Sequence, residues 1–388
     1  MSLDSITKGL AKKYGVEGIA QIGVPKDKYK TTFSLGTPGF DFCTYNSIPE
    51  GIFIEFSGSE SSGKTTGAFL LAANYIRKEK LKPIEQRRHI LFVDAETTAD
   101  PIWAYTSTGY DMNDPEIKTI YVTPLGQSAE QIFDIVTEYV KSGEIGLVIF
   151  DSLSAIATQQ VNDESFEKKD IGTLAKALAD FVRRDTGLFA RFHTTFIGIN
   201  GTIMNVSGYG NPETTGGGTY WKRACSLRLK FKRGEYFDED GNELKTTATS
   251  PAGHVIEVAV LKTKFCRWDR KLGRCHLHYV KGIDILWDTI ELAINLGIIT
   301  SPSQGWFVLN DPDTGEVILD NEGKEIKIRG QKNIKPYFET NLDLWKRVYN
   351  KVYQLLSKKD DPSIMSFEKM LGINVADAFD IDFTKEGE

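Results

Sequence analysis

The feature that most constrains this chain is a phosphate-loop pattern between an apolar run and a helical pattern. The run GIFIEF leads into GSESSGKTT, which fits the spacing G-x-x-x-x-G-K-[ST] over residues 58–65. The glycines in such a loop let backbone N–H groups converge on phosphate oxygens. A strand, this loop and a helix in that order predict an α/β fold that binds a nucleoside triphosphate.

Within this loop, Lys64 is predicted to reach the β- and γ-phosphates of ATP, and the Thr65 hydroxyl is predicted to bind Mg²⁺. The other positions are predicted to contact the phosphates mainly through their backbone. The full set of predicted ATP contacts in the loop is Gly58, Ser59, Glu60, Ser61, Ser62, Gly63, Lys64, Thr65 and Thr66.

Two carboxylates at the ends of apolar runs are candidates to complete the site. Asp151 ends IGLVIFD, as expected of a buried strand that carries a carboxylate to Mg²⁺ at the carboxyl edge of a sheet. An Asp that only caps the strand is the alternative. Glu96 ends HILFVDAE and is the candidate to orient and deprotonate the attacking water, with Asp94 as its competitor. Trp103 is placed either to stack on the base or to pack in the core, and spacing favours packing.

From residue 51 onward, apolar runs alternate with amphipathic helical patterns. Helices are predicted near residues 64–80, 128–141 and 169–184, between the strand-like runs GIFIEF, HILFVDAE, KTIYVT, IGLVIFD and TTFIGIN. This alternation predicts a mostly parallel twisted sheet with helices on both faces. Three later runs alternate in polarity and predict an antiparallel extension; they are SLRLKFK, HVIEVAVLK and RCHLHYV.

The chain divides into four predicted segments. Residues 1–32 are predicted to be an amphipathic helix and a linker. They form either a flexible terminus or an arm that docks on a neighbouring protomer. Residues 33–281 are the α/β ATPase core, and residues 282–372 are a small α+β module. Residues 373–388 are predicted to be a flexible acidic tail.

Composition limits the classes of partner. The net charge of −6 excludes a uniformly basic coat, so any nucleic-acid surface must be local. No apolar run approaches the roughly 20 residues of a membrane span. The four cysteines have no zinc-ligand spacing and indicate reduced thiols in a cytoplasmic protein without a membrane partner.

Three features are candidates for binding nucleic acid. Lys169, Lys176 and Arg183 are spaced seven apart, which predicts a basic stripe on one helix face, although a solvated face has the same pattern. Lys262 and Lys264, in VLKTK, are spaced to point the same way, which suits a phosphate site, including one on an adjacent subunit, although such pairs are usually surface charge.

The third feature is a glycine-rich stretch from Asn200 to Trp221, longer than a compact domain needs between a strand and a helix. Its backbone N–H groups and hydroxyls are predicted to grip a nucleic-acid backbone, and its tyrosine to wedge between bases. The predicted contacts are Tyr209, Gly210, Asn211, Thr214, Thr215, Gly216, Gly217 and Gly218.

These motifs, in this order and approximate spacing, resemble the RecA family of homologous recombinases, and its phage UvsX-type members in particular. The resemblance covers roughly residues 33–300 and is most specific at GNPETTGGG; the others are GSESSGKTT, FVDAETTADPIWA, VIFDSLSAI, FIGIN and VLKTK. It implies an ATP-dependent recombinase that forms helical filaments on single-stranded DNA and exchanges strands with homologous duplex DNA. A single-stranded-DNA-binding protein and a loader are further expected partners.

The resemblance also implies roles for individual residues. Glu96 takes the position of the catalytic carboxylate, Asp151 that of the Mg²⁺-associated one, and Trp103 that of the adenine-stacking aromatic residue. Lys262 and Lys264 are expected to reach the neighbouring protomer's triphosphate. Two loops are expected to face DNA, with basic positions after the first; these are residues 159–170 and 201–218, with Lys176 and Arg183. The N-terminal helix is expected to link protomers.

The sequence departs from the bacterial members of the family at one coupling position. After Asn200, a predicted nucleotide contact, they carry a polar side chain that reads the γ-phosphate, whereas this chain has Gly201. Either Asn200 or Thr202 replaces it, or ATP and DNA are coupled through Lys262 and Lys264. The second DNA loop also lacks basic residues, so salt dependence is expected from a set on the preceding helix: Lys176, Arg183 and Arg184.

Two other functions remain open on the same core. One is a hexameric helicase-type motor that closes into rings. The N-terminal arm and GNPETTGGG favour the recombinase over this motor. The other is a mediator that binds ATP and partners without exchanging strands, which Gly201 keeps open and the presence of Lys64, Glu96 and Asp151 opposes.

Overall fold

The computed structural model describes residues 2–14, 32–159, 172–204 and 213–357. Its α-helices are α1 (Leu3–Tyr14), α2 (Pro38–Thr44), α3 (Lys64–Lys80), α4 (Pro101–Thr108), α5 (Ala129–Lys141), α6 (Thr173–Arg191), α7 (Gly218–Ala224), α8 (Ile285–Asn295), α9 (Ile334–Thr340) and α10 (Leu342–Leu356). Its strands are β1 (Thr32–Phe33), β2 (Ile48–Pro49), β3 (Phe53–Gly58), β4 (His89–Asp94), β5 (Thr119–Val122), β6 (Ile145–Asp151), β7 (Thr195–Met204), β8 (Glu213–Thr215), β9 (Leu227–Phe237), β10 (Glu243–Leu244), β11 (Gly253–Thr263), β12 (Leu272–His278), β13 (Gly282–Ile283), β14 (Ile299–Ser303), β15 (Trp306–Leu309) and β16 (Lys327–Arg329).

One large mixed sheet organises the chain, in the order β13-β12-β11-β9-β3-β7-β6-β4-β5. The five predicted core runs are β3, β4, β5, β6 and β7, and they pair in parallel. The predicted antiparallel extension is confirmed for β9, β11 and β12. In addition, β9 pairs in parallel with β3, because the chain passes from β7 to β9 through α7 rather than through a hairpin. The α/β class with a mostly parallel sheet is therefore confirmed.

Side chains of the parallel strands alternate between two apolar clusters, one on each face of the sheet. In β6, Leu147 and Ile149 belong to the cluster that includes α3, whereas Val148 and Phe150 belong to the cluster that includes α5 and α6. Every residue of β3 and β6 is buried. Helices on both faces explain why these strands are apolar at nearly every position.

The helix predicted near residues 169–184 is shifted toward the carboxyl terminus. Helix α6 begins at Thr173, because Gly172 at its amino end has a φ of 97°, outside the helical region. It continues past Arg184 because Phe189 is fully buried in the apolar cluster on that face. Lys176 and Arg183 lie on α6, whereas Lys169 lies outside the described residues, so the predicted three-residue stripe is described only for its last two members.

Helix α8, the three-stranded sheet β14-β15-β16, α9 and α10 follow the large sheet. They form a third apolar cluster that also contains Phe42 of α2 and Leu261 of β11. The boundary predicted at residue 281 remains a prediction, and the predicted acidic tail lies outside the described residues. In the part of the chain that the structure describes, no helix is long and apolar enough to cross a membrane.

Candidate nucleotide site and DNA surface

The phosphate loop joins the end of β3 to the start of α3. Its glycines Gly58 and Gly63 have φ angles of 152° and 92°. A Cβ at Gly58 would lie 2.4 Å from the carbonyl oxygen of Phe231, and one at Gly63 would lie 2.8 Å from Ile256. Both positions therefore require glycine. Because Gly63 offers no side-chain oxygen to the first N–H groups of α3, this helix end has the arrangement that binds phosphate.

The Lys64 ammonium lies across the loop. Its Nζ donates hydrogen bonds to the carbonyl oxygens of Gly58 and Ser59, at 3.0 and 2.6 Å. Partial burial lowers the pKa of Lys64, and the nearby charges of Asp151 and Glu96 oppose that shift. A partly desolvated cation next to converging N–H groups is suited to an oxyanion such as a triphosphate.

Thr65 and Asp151 meet at the carboxyl edge of the sheet. The Thr65 hydroxyl donates a hydrogen bond of 2.7 Å to Oδ2 of Asp151. Burial raises the pKa of Asp151 to about 6; the Thr65 hydrogen bond opposes this rise, and the charges of Glu96 and Asp94 add to it. A bound cation would favour the ionised carboxylate.

These residues fit an Mg²⁺ ion shared with phosphate oxygens. Among the described residues, no group of three or more His, Cys, Asp or Glu side chains is placed to hold a metal ion by itself. Proteins usually bind Mg²⁺ through one or two carboxylates together with phosphate oxygens and water. Thr65 and Asp151 would supply the protein's part of such a site.

The structure separates the two carboxylates that compete for the role of base. Asp94 is buried and accepts hydrogen bonds from the N–H groups of Thr98 and Ala99, at 3.3 and 3.0 Å, and from the Tyr121 hydroxyl. It therefore holds the loop that follows β4. Glu96 is exposed beside Asp151 and accepts a hydrogen bond from the Ser152 hydroxyl. This geometry favours Glu96 as the group that faces a water molecule.

The two remaining predicted nucleotide contacts, Trp103 and Asn200, lie outside the loop. Trp103 on α4 is partly buried against the apolar cluster of the α3 face, as the packing alternative predicts. Asn200 on β7 is fully buried. Its Nδ2 donates a hydrogen bond of 2.9 Å to Oε1 of Glu55.

The sequence analysis missed the carboxylate that Asn200 contacts. Oε1 of Glu55 also accepts a hydrogen bond of 2.9 Å from Nε1 of Trp221, and Oε2 accepts one of 2.6 Å from Nε of Arg228. All four side chains are buried. The signal in the sequence is a charged residue in the middle of the apolar run GIFIEF, because a buried charge requires partners.

The basic residues Lys176, Arg183 and Arg184 of α6 are all exposed, but Arg184 also has a structural role. The Arg183 guanidinium lies 3.9 Å from the ring centroid of Tyr220 on α7, and Lys176 is exposed. Arg184 instead donates hydrogen bonds to Asp134, Thr137 and Asp185. Arg184 therefore joins α6 to α5, and the salt dependence predicted for all three residues is now expected mainly from Lys176 and Arg183.

In the described part of the glycine-rich stretch, β8 pairs antiparallel with the end of β7, and Thr202 lies opposite Thr215. Thr215 and Gly217 are buried, whereas Thr214, Gly216 and Gly218 are partly exposed. Tyr209, Gly210 and Asn211 lie outside the described residues. We call Lys176, Arg183, Thr214, Gly216 and Gly218 the candidate DNA surface.

Lys262 and Lys264 point the same way, as their spacing predicts. Nζ of Lys262 donates to the carbonyl oxygens of Lys222 and Arg223, at 2.6 and 3.0 Å, and Nζ of Lys264 donates to that of Arg223 at 2.9 Å. Both ammonium groups thus lie at the carboxyl end of α7, where the helix dipole favours cations.

Comparison with known proteins agrees with this geometry. The family model described as "RecA N-terminal domain" matches residues 1–284. Protein RecA of Mycoplasma mobile is 28% identical over 367 residues, which cover 94% of this chain and 99% of that protein. Protein RecA of Phytoplasma mali is 27% identical over 359 residues, 92% of this chain and 94% of that protein. A strand, phosphate loop and helix with carboxylates on the adjoining strand ends, together with a family match over most of the chain, show that this chain belongs to the RecA family.

Proposed function

We propose that this protein is an ATP-dependent DNA recombinase that forms helical filaments on single-stranded DNA and exchanges strands with homologous duplex DNA. The observation that carries the proposal is the placement of Lys64, Thr65, Asp151 and Glu96 around one phosphate loop, in a chain of the RecA family. This set combines a phosphate cradle, a metal site and a candidate base. The likeness to phage UvsX-type members remains a prediction from the sequence.

In the proposed hydrolysis, the backbone N–H groups of the loop and Lys64 hold the phosphates. Glu96 orients the attacking water and accepts its proton, and Ser152 keeps the Glu96 carboxylate in place through its donated hydrogen bond. Mg²⁺ held by Thr65 and Asp151 would neutralise negative charge on the phosphate oxygens.

The filament in this proposal places ATP between two protomers. Lys262 and Lys264 exchange their carbonyl partners at the end of α7 for the triphosphate of the neighbouring protomer. Trp103 contacts the adenine from α4. Leu3, Ile6 and Tyr14 of α1 are exposed apolar side chains, and they supply the face with which the N-terminal arm docks on a neighbour.

The candidate DNA surface would bind single-stranded DNA mainly through its phosphates. Lys176 and Arg183 supply the charge, and the backbone near Gly216 and Gly218 supplies N–H donors. ATP binding would hold the extended filament, and hydrolysis would release it.

Negative-stain electron microscopy on long circular single-stranded DNA with ATPγS tests this proposal. Continuous helical filaments that extend the DNA are the expected result. Discrete rings would instead support the helicase-type motor, and bare DNA despite measurable ATPγS binding would support the mediator. The Lys64→Ala variant is the matched control and is expected to leave the DNA bare, because it removes the ammonium group at the phosphates.

A further inference from the structure

The buried carboxylate of Glu55 contacts three separate parts of the fold. Glu55 lies in β3, three residues before the phosphate loop begins at Gly58. Its partner Asn200 lies in the middle of β7, at the amino-terminal end of the glycine-rich stretch, and its partner Trp221 lies in α7, at the carboxyl-terminal end of that stretch. One carboxylate therefore joins the strand that carries the phosphate loop to both sides of the stretch predicted to bind DNA.

The orientation of the Asn200 amide follows from the same carboxylate. Because a carboxylate only accepts hydrogen bonds, the amide must present Nδ2 to Glu55, which directs Oδ1 the other way. A Cβ at Gly216 would lie 3.9 Å from this oxygen. Within the described residues, Oδ1 of Asn200 and Oγ1 of Thr215 are buried without hydrogen-bond partners. Such groups favour a rearrangement that satisfies them.

The Trp221 indole packs against the backbone at Gly217 and Gly198. A Cβ at Gly217 would lie 3.2 Å from the indole ring, and one at Gly198 of β7 would lie 2.7 Å from it. A displacement of the ring must therefore move the backbone at Gly217. In contrast, a Cβ at Gly201 would meet only Ser154 Oγ, at 3.9 Å, and glycine itself has no side chain to transmit a displacement.

We propose that Glu55 is a positioning residue that couples nucleotide binding to DNA binding, acting through Asn200 and Trp221. The inference rests on the function proposed above. Triphosphate binding at the phosphate loop displaces the end of β3; the carboxylate carries the Asn200 amide and the Trp221 indole with it, and the indole repositions Gly216–Gly218 for DNA. This route replaces the side chain that Gly201 lacks.

Thermodynamic coupling between the two ligands tests the proposal. The coupling ratio is the Kd of fluorescein-labelled oligo(dT) with ADP divided by its Kd with ATPγS. Trp221→Phe removes the Nε1 donor but keeps an aromatic ring, and it is expected to lower this ratio about tenfold, or about 1.4 kcal/mol. The affinity for ATPγS without DNA is expected to stay within about twofold of wild type, because Trp221 lies outside the phosphate loop.

Trp287→Phe is the matched control, because within the described residues Nε1 of Trp287 is buried without a hydrogen-bond partner. It is expected to keep the wild-type coupling ratio. A Trp221→Phe protein with the wild-type ratio would overturn the proposal for Glu55 and leave the proposed function intact. A wild-type protein that binds DNA equally with ADP and ATPγS would overturn both.

If Trp221→Phe does not fold, as judged by lost ATPγS binding, benzothienylalanine at position 221 replaces it. This residue keeps the shape of the indole and has sulfur in place of the N–H group. The same fall in coupling ratio is expected, and an unchanged ratio would overturn the proposal.

Discussion

The nucleotide site and the candidate DNA surface lie on the same sheet but are organised differently. The first is formed at the carboxyl edge of the sheet, where β4 and β6 pair directly and β7 lies between β6 and β3, so strand pairing brings Thr65, Asp151 and Glu96 together. The second draws on α6, β8 and α7, and some of its groups already have protein partners. Arg183 contacts Asp180 and Tyr220, and Lys222 donates to Thr214. Strand pairing holds the carboxylates of the nucleotide site together, whereas Arg183 of the candidate DNA surface must exchange protein contacts for phosphates.

The largest expected effect is a loss of ATP hydrolysis without a loss of folding stability. Glu96→Gln is expected to lower kcat for ATP hydrolysis about 10²- to 10⁴-fold, because the amide cannot accept the proton of water. Its Tm is expected to match wild type, since Glu96 is exposed. Steady-state hydrolysis and thermal unfolding measure both effects.

Asp94→Asn is the matched control for that substitution. It is expected to lower stability instead, because Asp94 is buried with three donors around it. Hydrolysis by Glu96→Gln within about threefold of wild type would contradict the assignment of the base.

The second prediction tests whether the Asp151 carboxylate is favourable in the folded protein before a cation binds. The pKa of Asp151 is raised from 3.8 to about 6, so ionising this carboxyl is unfavourable in the folded protein. The Asp151 carboxyl therefore contributes most to the free energy of unfolding at low pH, and this contribution is lost as the pH rises from about 4 to above 6. Without nucleotide or Mg²⁺, Asp151→Asn is expected to be more stable than wild type at pH 8 by about 1–3 kcal/mol.

Denaturant unfolding at several pH values measures this difference. It is expected to disappear below about pH 3, where the wild-type carboxyl is protonated in both states. A variant that is less stable than wild type at pH 8 would show that Asp151 is held as a favourable carboxylate without any cation.

The third prediction separates the basic residues of α6 that are expected to bind DNA from the one that stabilises the fold. Arg184→Ala is expected to lower the free energy of unfolding by about 1–2 kcal/mol, because Asp185 is buried and loses a charged partner. Arg183→Ala is expected to change stability by less than about 0.5 kcal/mol while weakening binding to single-stranded DNA. Urea unfolding and fluorescence anisotropy distinguish the two residues. The opposite pattern would place Arg184, and not Arg183, in the candidate DNA surface.

The smallest expected effect concerns one phosphate contact. Lys176→Ala is expected to flatten the plot of log Kd for single-stranded DNA against log salt by about 0.7 per contact. Hydrolysis in the absence of DNA is expected to stay near wild type, because Lys176 is remote from the phosphate loop in the sequence and exposed on α6. An unchanged slope would remove Lys176 from the surface.

The sequence predicted the parts of the molecule that short segments determine. The phosphate loop is one continuous motif, and Asp151 and Glu96 follow apolar runs whose parallel pairing is confirmed. Contacts between distant segments were missed. Glu55 finds its partners 145, 166 and 173 residues away, and Arg184 reaches Asp134 across 50 residues. Spacing within one helix or strand contains no information about such partners.

The helix boundary at Thr173 shows the same limit. The sequence predicted a helix near residues 169–184, but a glycine with positive φ at position 172 precedes the first turn of α6. Thr215 and Gly217 were grouped with their neighbours as DNA contacts, yet β8 pairing and the Trp221 ring bury them. Tertiary packing, and not local composition, decides which residues of that stretch are exposed.

Strand exchange tests the central claim most directly. The protein is incubated with circular single-stranded DNA, homologous linear duplex and ATP, and the products are separated on agarose gels. The account predicts joint molecules followed by nicked circular duplex, with neither product for Lys64→Ala or for a heterologous duplex. Single-stranded DNA that stimulates hydrolysis without any joint molecules would contradict the recombinase assignment, and separation of the duplex strands without pairing would support a motor instead.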